Sequence, residues 1–230
     1  MTDSRQINIV LLGAPGAGKG TQALHLIKAY NLLHVSTGDM LRATVKGETE
    51  LGKEIQEFMD RGELVPNEIV TKSVIERISK PDAAEGVILD GYPRNKVQAE
   101  TLDNALNEAG RALTVVLYMK VSEDIVIARL SGRRVCPKCG YNYHLTNIPP
   151  KNTGICDSCS VNLIQRKDDN IGTIKNRFKV YEESTKDLID YYAGKGLLRE
   201  VDGGSKAEEL FKTIDCLFKE EGLLNDNSEK

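Results

Sequence analysis

The sequence predicts an α/β fold, a parallel five-stranded sheet with helices on both faces. Short apolar runs rich in β-branched residues recur along the chain at Ile7–Leu12, Gly86–Leu89 and Leu113–Met119, with weaker ones in "LLHV" and "LREV". Strands buried on both faces read as continuous apolar runs of this kind. Amphipathic stretches at helical spacing lie between them, and strand alternating with helix gives a parallel sheet. Ligands of such sheets bind beyond the carboxyl ends of the strands. Three polar clusters fall there: "GAPGAGKGT" after the first run, "STGDMLR" after "LLHV" and "DGYPR" after "GVIL".

The bulk properties suit an ordinary globular protein of 230 residues, 40% hydrophobic and 28% charged. A net charge of −3 asks for neither nucleic acid nor an acidic membrane as partner. No apolar run reaches the ~18 residues of a membrane span. The start "MTDSRQ" lacks the apolar core of a secretory signal, so a cytoplasmic protein is expected. Its five cysteines are then expected as thiols or metal ligands. Cys216 falls off the helical stripe formed by Leu210, Phe211, Ile214, Leu217 and Phe218, and reads as an unpaired helix thiol.

Two segments interrupt the alternation. Residues 36–65 carry helices and no strand, opening with Ser36 as a helix cap and Asp39 three residues on, and closing at Gly62 and Pro66. Residues 132–169 hold four cysteines and three prolines, a change of composition that marks a small inserted module. The expected division is a core of 1–35, 66–131 and 170–230, a helical flap of 36–65 and the module of 132–169. The tail "NDNSEK" is expected to fray.

The first cluster contains G-x-x-x-x-G-K from Gly13 to Lys19, a phosphate-binding loop, which makes the sheet one of the P-loop NTPase type. Gly13, Gly16 and Gly18 let backbone N–H groups converge on phosphate oxygens, and Lys19 adds a point charge. Gly20 stands where Ser or Thr usually holds magnesium. The ion is then expected to rest on water and phosphate, with the Asp90 carboxylate in reach. Thr21 remains as a hydroxyl that could cap the helix or touch phosphate. Arg42, Arg94, Arg129, Arg133, Arg166 and Arg177 all fall near the clusters, and phosphoryl transfer needs positive charge more than anything else. A monophosphate acceptor needs no general base, its second pKa being about 6. Asp90 is a possible base, though its place beside the loop suits a metal better.

Cys136, Cys139, Cys156 and Cys159 follow C-x2-C-x16-C-x2-C, the spacing of a closed four-thiolate zinc site with no open position for catalysis. His144 lies nearby, but four cysteines already complete a tetrahedron.

"GAPGAGKGT", "STGDMLR", "DGYPR", "GRR", the four-cysteine segment, "QRKDD" and "VDG" recur in the order found in the adenylate kinase family, in its long-lid bacterial form with a zinc-binding lid. The chain resembles that family from Ile7 to about Leu223. The resemblance implies the reaction MgATP plus AMP to two ADP on a core with two moving flaps, 36–65 over AMP and 132–169 as a lid over ATP. It implies ATP contacts from Gly16, Ala17, Gly18, Lys19, Gly20, Thr21, Arg129, Arg133, Asn142, Tyr143 and Ser205. AMP would be held by Thr37, Arg42, Glu63, Leu64, Val65, Gly91, Tyr92, Pro93, Arg94, Gln98, Arg166 and Arg177, with Gln98 at the adenine edge. Lys19, Arg94, Arg133, Arg166 and Arg177 would stabilise the moving phosphoryl group. Asp168 and Asp169 would serve the lid hinge, Asp90 the water-held Mg2+ ion, and the four cysteines a structural Zn2+ ion. A monomer with ATP, AMP and ADP as its partners is implied. Two alternatives stay open at this point: a UMP or CMP kinase of the same fold, and a zinc-ribbon protein binding nucleic acid through Arg133, Arg134, Lys138, Lys151, Arg166 and Lys167.

Overall fold

The computed structural model describes residues 6–223; the expectations for the first five residues and for the tail from Asn225 lie outside it. In chain order the elements are β1 (Ile7–Gly13), α1 (Lys19–Tyr30), β2 (Leu33–Ser36), α2 (Thr37–Lys46), α3 (Glu50–Arg61), α4 (Asn67–Ile78), β3 (Gly86–Asp90) and α5 (Lys96–Glu108). They continue with β4 (Val115–Lys120), α6 (Glu123–Ser131), β5 (Arg133–Val135), β6 (Asn142–His144), α7 (Ile171–Gly194), β7 (Leu198–Asp202) and α8 (Ala207–Glu220). Five strands form one sheet in the order β2-β3-β1-β4-β7, every pair parallel. β5 and β6 make a separate antiparallel pair.

Alternation along β1 explains the two-sided core. Val10 and Leu12 face one layer with Val70, Val74, Leu102, Leu106 and Leu188 from α4, α5 and α7. Ile9 and Leu11 face the other with Ala23, Leu26, Ile214 and Phe218 from α1 and α8. On α8 the spacing of Leu210, Ile214 and Phe218 puts all three inward, while Cys216 is exposed as its place off the stripe requires. No helix among the described residues is long and apolar enough to cross a membrane.

Local boundaries follow local chemistry. Ser36 caps α2 by accepting a hydrogen bond from Asp39 N at 3.3 Å. Gly62 ends α3 in the left-handed region. The expected strand at Leu113–Met119 begins two residues later, because Thr114 is engaged with Asn8 (Asn8 N to Thr114 Oγ1, 3.1 Å) and the ladder to β1 starts at Val115. Thr21 does not cap α1: that helix begins at Lys19 behind Gly18, which has φ 100°, so Thr21 already lies inside the first turn.

Gly86 is where the sheet leaves least room. Its φ is +135°, and a Cβ there would lie 2.1 Å from Ile7 O at the start of the β1–β3 ladder. Gly196 also has a positive φ, +70°, but a Cβ there meets nothing within 4 Å. Gly86→Ala is expected to cost about 3 kcal/mol or more in urea unfolding, against about 1 kcal/mol for Gly196→Ala.

Candidate active site

β1, β2 and β3 end side by side, and their ends supply the floor of one large cleft. After β1 the loop turns at Gly18 into α1. Lys19 Nζ folds over that loop and donates to Gly13 O at 2.7 Å and Ala14 O at 3.0 Å. Burial pushes the Lys19 ammonium down to about 8; Asp90 opposes this, while Arg94, Arg177 and Arg133 add repulsion. Asp90 ends β3 opposite Ser36. Burial alone would raise its carboxyl, but His34, with Nε2 3.6 Å from Oδ2, and Lys19 outweigh it and hold it below the ordinary range.

Asp90 stands beside the position that departs from the usual loop pattern. An ideal Cβ on Gly20 would lie 3.5 Å from Asp90 Oδ2, an ordinary van der Waals distance, so the carboxylate borders that position without filling it.

All six predicted arginines line this cleft, together with Lys19. Arg42 donates to Asp39 Oδ1 at 2.5 Å, and Arg94 Nε to Gly91 O at 2.8 Å. Arg133 makes a two-pronged bond to Asp169, Nε to Oδ2 at 2.8 Å and Nη2 to Oδ1 at 2.5 Å. Arg177 Nη1 reaches Asp168 Oδ2 at 2.8 Å, and Arg166 Nη2 donates to Asn142 Oδ1 at 3.3 Å. Burial first, then the neighbouring cations, lower Arg166 and Arg177 to about 10. They stay charged at neutral pH but repel one another. Arg129 differs: it donates to Ala17 O, Gly203 O, Gly204 O and Ser205 O, and so ties the phosphate loop to the β7–α8 turn.

Of the other predicted contact residues, Gly16 to Thr21, Asn142, Ser205, Thr37, Glu63, Leu64, Val65, Gly91, Pro93 and Gln98 line the same cleft. Tyr92 and Tyr143 do not. Tyr92 is fully buried, with its hydroxyl on Thr71 Oγ1 and Gln98 O, each at 3.2 Å. Tyr143 points into the cysteine module, where its hydroxyl donates to Cys156 Sγ at 3.6 Å and accepts from Asp157 N at 2.9 Å. An aromatic body needs apolar cover, so both side chains support the wall from behind. Asp169 likewise stands behind the cleft, its side chain wholly buried under Arg133, while Asp168 lines it.

Neither His34 nor Asn67 stands out in the sequence as a site residue. "LLHV" reads as strand, and only the fold sets His34 beside Asp90. Asn67 opens α4, and its Oδ1 accepts from both Gln98 Nε2 at 2.8 Å and Asn95 Nδ2 at 2.9 Å.

The sulfur atoms of Cys136, Cys139, Cys156 and Cys159 all lie within 4.8 Å of one another, and none is in a disulfide. A tetrahedron with metal–sulfur bonds of about 2.3 Å has edges of about 3.8 Å. The Cys139–Cys156 Sγ distance is 3.8 Å, so these thiols fit a closed four-coordinate metal ion. His144 stays out of the cluster: its Nδ1 accepts from Thr146 N and Asn147 N, both at 3.1 Å.

The sheet, the loop and the cationic cleft define a P-loop nucleotide-binding protein. A family model described as "Adenylate kinase" matches residues 11–197. The chain is 50% identical over 208 residues to an adenylate kinase of Carboxydothermus hydrogenoformans, covering 90% of this chain and 97% of that protein. It is 49% identical to one of Caldanaerobacter subterraneus subsp. tengcongensis, covering 90% and 94%. With one of Kosmotoga olearia it shares 46% over 215 residues, covering 92% and 100%. The chain belongs to the adenylate kinase family.

Breaking the buried Arg133–Asp169 pair is expected to cost far more than breaking an exposed one. Asp169→Asn leaves the Arg133 guanidinium short of its counter-charge among like charges and should cost about 3 kcal/mol in urea unfolding. Glu50→Gln, which breaks the exposed pair with Lys53, should change stability by no more than about 0.5 kcal/mol.

Proposed function

We propose that the protein transfers the γ-phosphoryl group of MgATP to AMP, reversibly, giving two ADP. The convergence of Lys19 and six arginines on one cleft, in a chain of this family, carries the proposal. The cleft, about 1870 Å³, exceeds the ~300–1,000 Å³ of a single-ligand pocket, which suits two nucleotides bound together.

In this account a phosphate oxygen of AMP attacks the γ-phosphorus of ATP while the bond from that phosphorus to the β–γ bridging oxygen breaks. AMP brings a dianionic phosphate at neutral pH, so no side chain need take a proton. Lys19, Arg94, Arg133, Arg166 and Arg177 stabilise charge on the phosphoryl oxygens, where a fixed cation is worth more than in water. Backbone N–H groups of Gly16 to Thr21 hold the ATP phosphates, and Arg129, Arg133, Asn142 and Ser205 bound that nucleotide from the other side. The module around Tyr143 lends its backbone and its rigidity. Thr37, Arg42, Glu63, Leu64, Val65, Gly91, Pro93, Arg94 and Gln98 hold AMP, Tyr92 bracing that wall from beneath. Asp90 would hold, through water, the magnesium ion that enters with ATP, and that ion would supply positive charge against the phosphates.

Residues 36–65 and 132–169 act as flaps on the remaining core, the second hinged at Asp168 and Asp169. Their closure excludes water that would otherwise accept the phosphoryl group. Cys136, Cys139, Cys156 and Cys159 hold zinc, which ties the lid into one unit and takes no part in the transfer. The protein works as a monomer in the cytoplasm, without nucleic acid or membrane.

Product analysis with MgATP and AMP, UMP, CMP or GMP in separate reactions tests the proposal. ADP that forms only with AMP, and ATP plus AMP formed from ADP alone, is the expected result. Preference for UMP or CMP would discard the roles of Thr37 and Gln98, and no turnover with any acceptor would end the proposal.

Two further outcomes are expected. Lys19 in the free enzyme is charged below pH about 8 and loses its proton above it, so kcat/KM for MgATP should fall as pH rises through about 8. Bound phosphate restores the charge, so kcat at saturation should hold to a higher pH; pH–rate profiles of both parameters check this. Stripping the metal with a chelator should lower Tm while the enzyme that remains folded keeps most of its turnover. Loss of turnover at unchanged Tm would contradict a purely structural zinc.

A further inference from the structure

Gln98 is 2% exposed, lines the cleft and carries a side-chain amide whose two ends are both tied down. Its Oε1 accepts from Arg94 N at 2.8 Å, and its Nε2 donates to Asn67 Oδ1 at 2.8 Å. Asn67 Oδ1 also accepts from Asn95 Nδ2 at 2.9 Å, and Asn95 Oδ1 accepts from Gln98 N at 3.0 Å as the cap of α5. The orientation of an amide is ordinarily ambiguous, because oxygen and nitrogen look alike. Here it is decided by logic. A backbone N–H can only donate, so the Asn95 atom facing Gln98 N must be oxygen and its other atom a donor. The Asn67 atom between them must then be an acceptor, and the Gln98 atom facing it a donor. At the far end a second backbone N–H, that of Arg94, demands the Gln98 oxygen. Both ends of the relay impose the same direction, and no member can turn without leaving a donor facing a donor.

An amide has two N–H groups and two carbonyl lone pairs. The relay uses one of each, leaving one N–H and one lone pair in a fixed left-to-right order. That order is what separates a 6-aminopurine from a 6-oxopurine. Adenine offers an acceptor at N1 and a donor on its 6-amino group, whereas hypoxanthine offers a donor at N1 and an acceptor at O6. A free amide could flip to suit either.

We infer that Asn67 and Asn95 are positioning residues that lock the Gln98 amide in one orientation and so make the monophosphate site accept AMP and reject 6-oxopurine monophosphates. Neither touches the base; both act through Gln98. The inference rests on the proposed AMP site and sharpens it.

The test compares kcat/KM for AMP with that for IMP, which differs from AMP only in the 6-substituent and the N1 proton. Asn67→Ala leaves the amide held at the Arg94 end alone. The AMP:IMP ratio should fall about tenfold or more, with KM for AMP raised and KM for MgATP unchanged, since a mispaired buried polar group is what rejects the wrong substrate. Asn67→Asp keeps an acceptor for both donors and should hold the ratio within about twofold of wild type. Asn95→Asp keeps the helix cap but replaces the donor facing Asn67 by an acceptor, so that Asn67 turns its amide and the Gln98 oxygen is wanted at both ends. The ratio should fall there too, in a protein whose cap is intact. Wild-type turnover with AMP, combined with unchanged ratios in folded Asn67→Ala and Asn95→Asp, would overturn the lock while leaving the proposed function standing. Absence of AMP turnover in the wild type would instead fail the proposed function itself.

Discussion

Crowding of positive charge in one cleft is the constraint on which the rest of the structure depends. Burial first, and then neighbouring cations, depress all three groups: Arg94, Arg177 and Arg133 act on Lys19, Arg133 and Arg94 on Arg177, and Arg133 and Arg42 on Arg166. Two unit charges 4 Å apart repel by about 4 kcal/mol at an effective dielectric of about 20. A chain of marginal stability can carry such a cluster only if much of that repulsion is offset. Asp168, Asp169 and Asp90 offset part of it in place, through Arg177, Arg133 and Lys19. What is left over is the binding energy available to phosphate.

The sheet makes this arrangement possible. Parallel strands deliver all their carboxyl ends to one edge, so β1, β2 and β3 place the phosphate loop, Thr37 and Asp90 within one floor. The helices then bring charge from elsewhere in the chain: Arg177 from α7, Arg129 from α6, Arg42 from α2. Gly20 belongs to the same logic. Asp90, the carboxylate that steadies Lys19, borders that position at ordinary contact distance, where the usual loop carries a hydroxyl.

Much of this was legible in the sequence, because it lay in short motifs whose spacing is itself the constraint. Gly13 to Lys19 follows a strand and opens a helix, and four cysteines at fixed intervals meet in space as the spacing requires. The arginines were legible as a set, since each stood beside a cluster. What could not be read was direction. Tyr143 sits one residue from Asn142 in the chain, yet a strand sends neighbours to opposite faces, and Tyr143 turns to Cys156 while Asn142 meets Arg166. Tyr92 was hidden in the same way within "DGYPR". Asn67 was invisible for a different reason: its partners Asn95 and Gln98 are about thirty positions away, and nothing in a single sequence marks a hydrogen-bond relay between two helix starts.

If unrelieved positive charge organises the cleft, then phosphate, more than the nucleoside, should stabilise the fold. The most direct measurement is the shift in Tm with adenosine, AMP, ADP and inorganic triphosphate at matched saturation and low ionic strength. The account predicts a rise that grows with phosphate charge, is large for triphosphate without any base, and shrinks with added salt. Equal stabilisation by adenosine and ADP, or none by triphosphate, would contradict it.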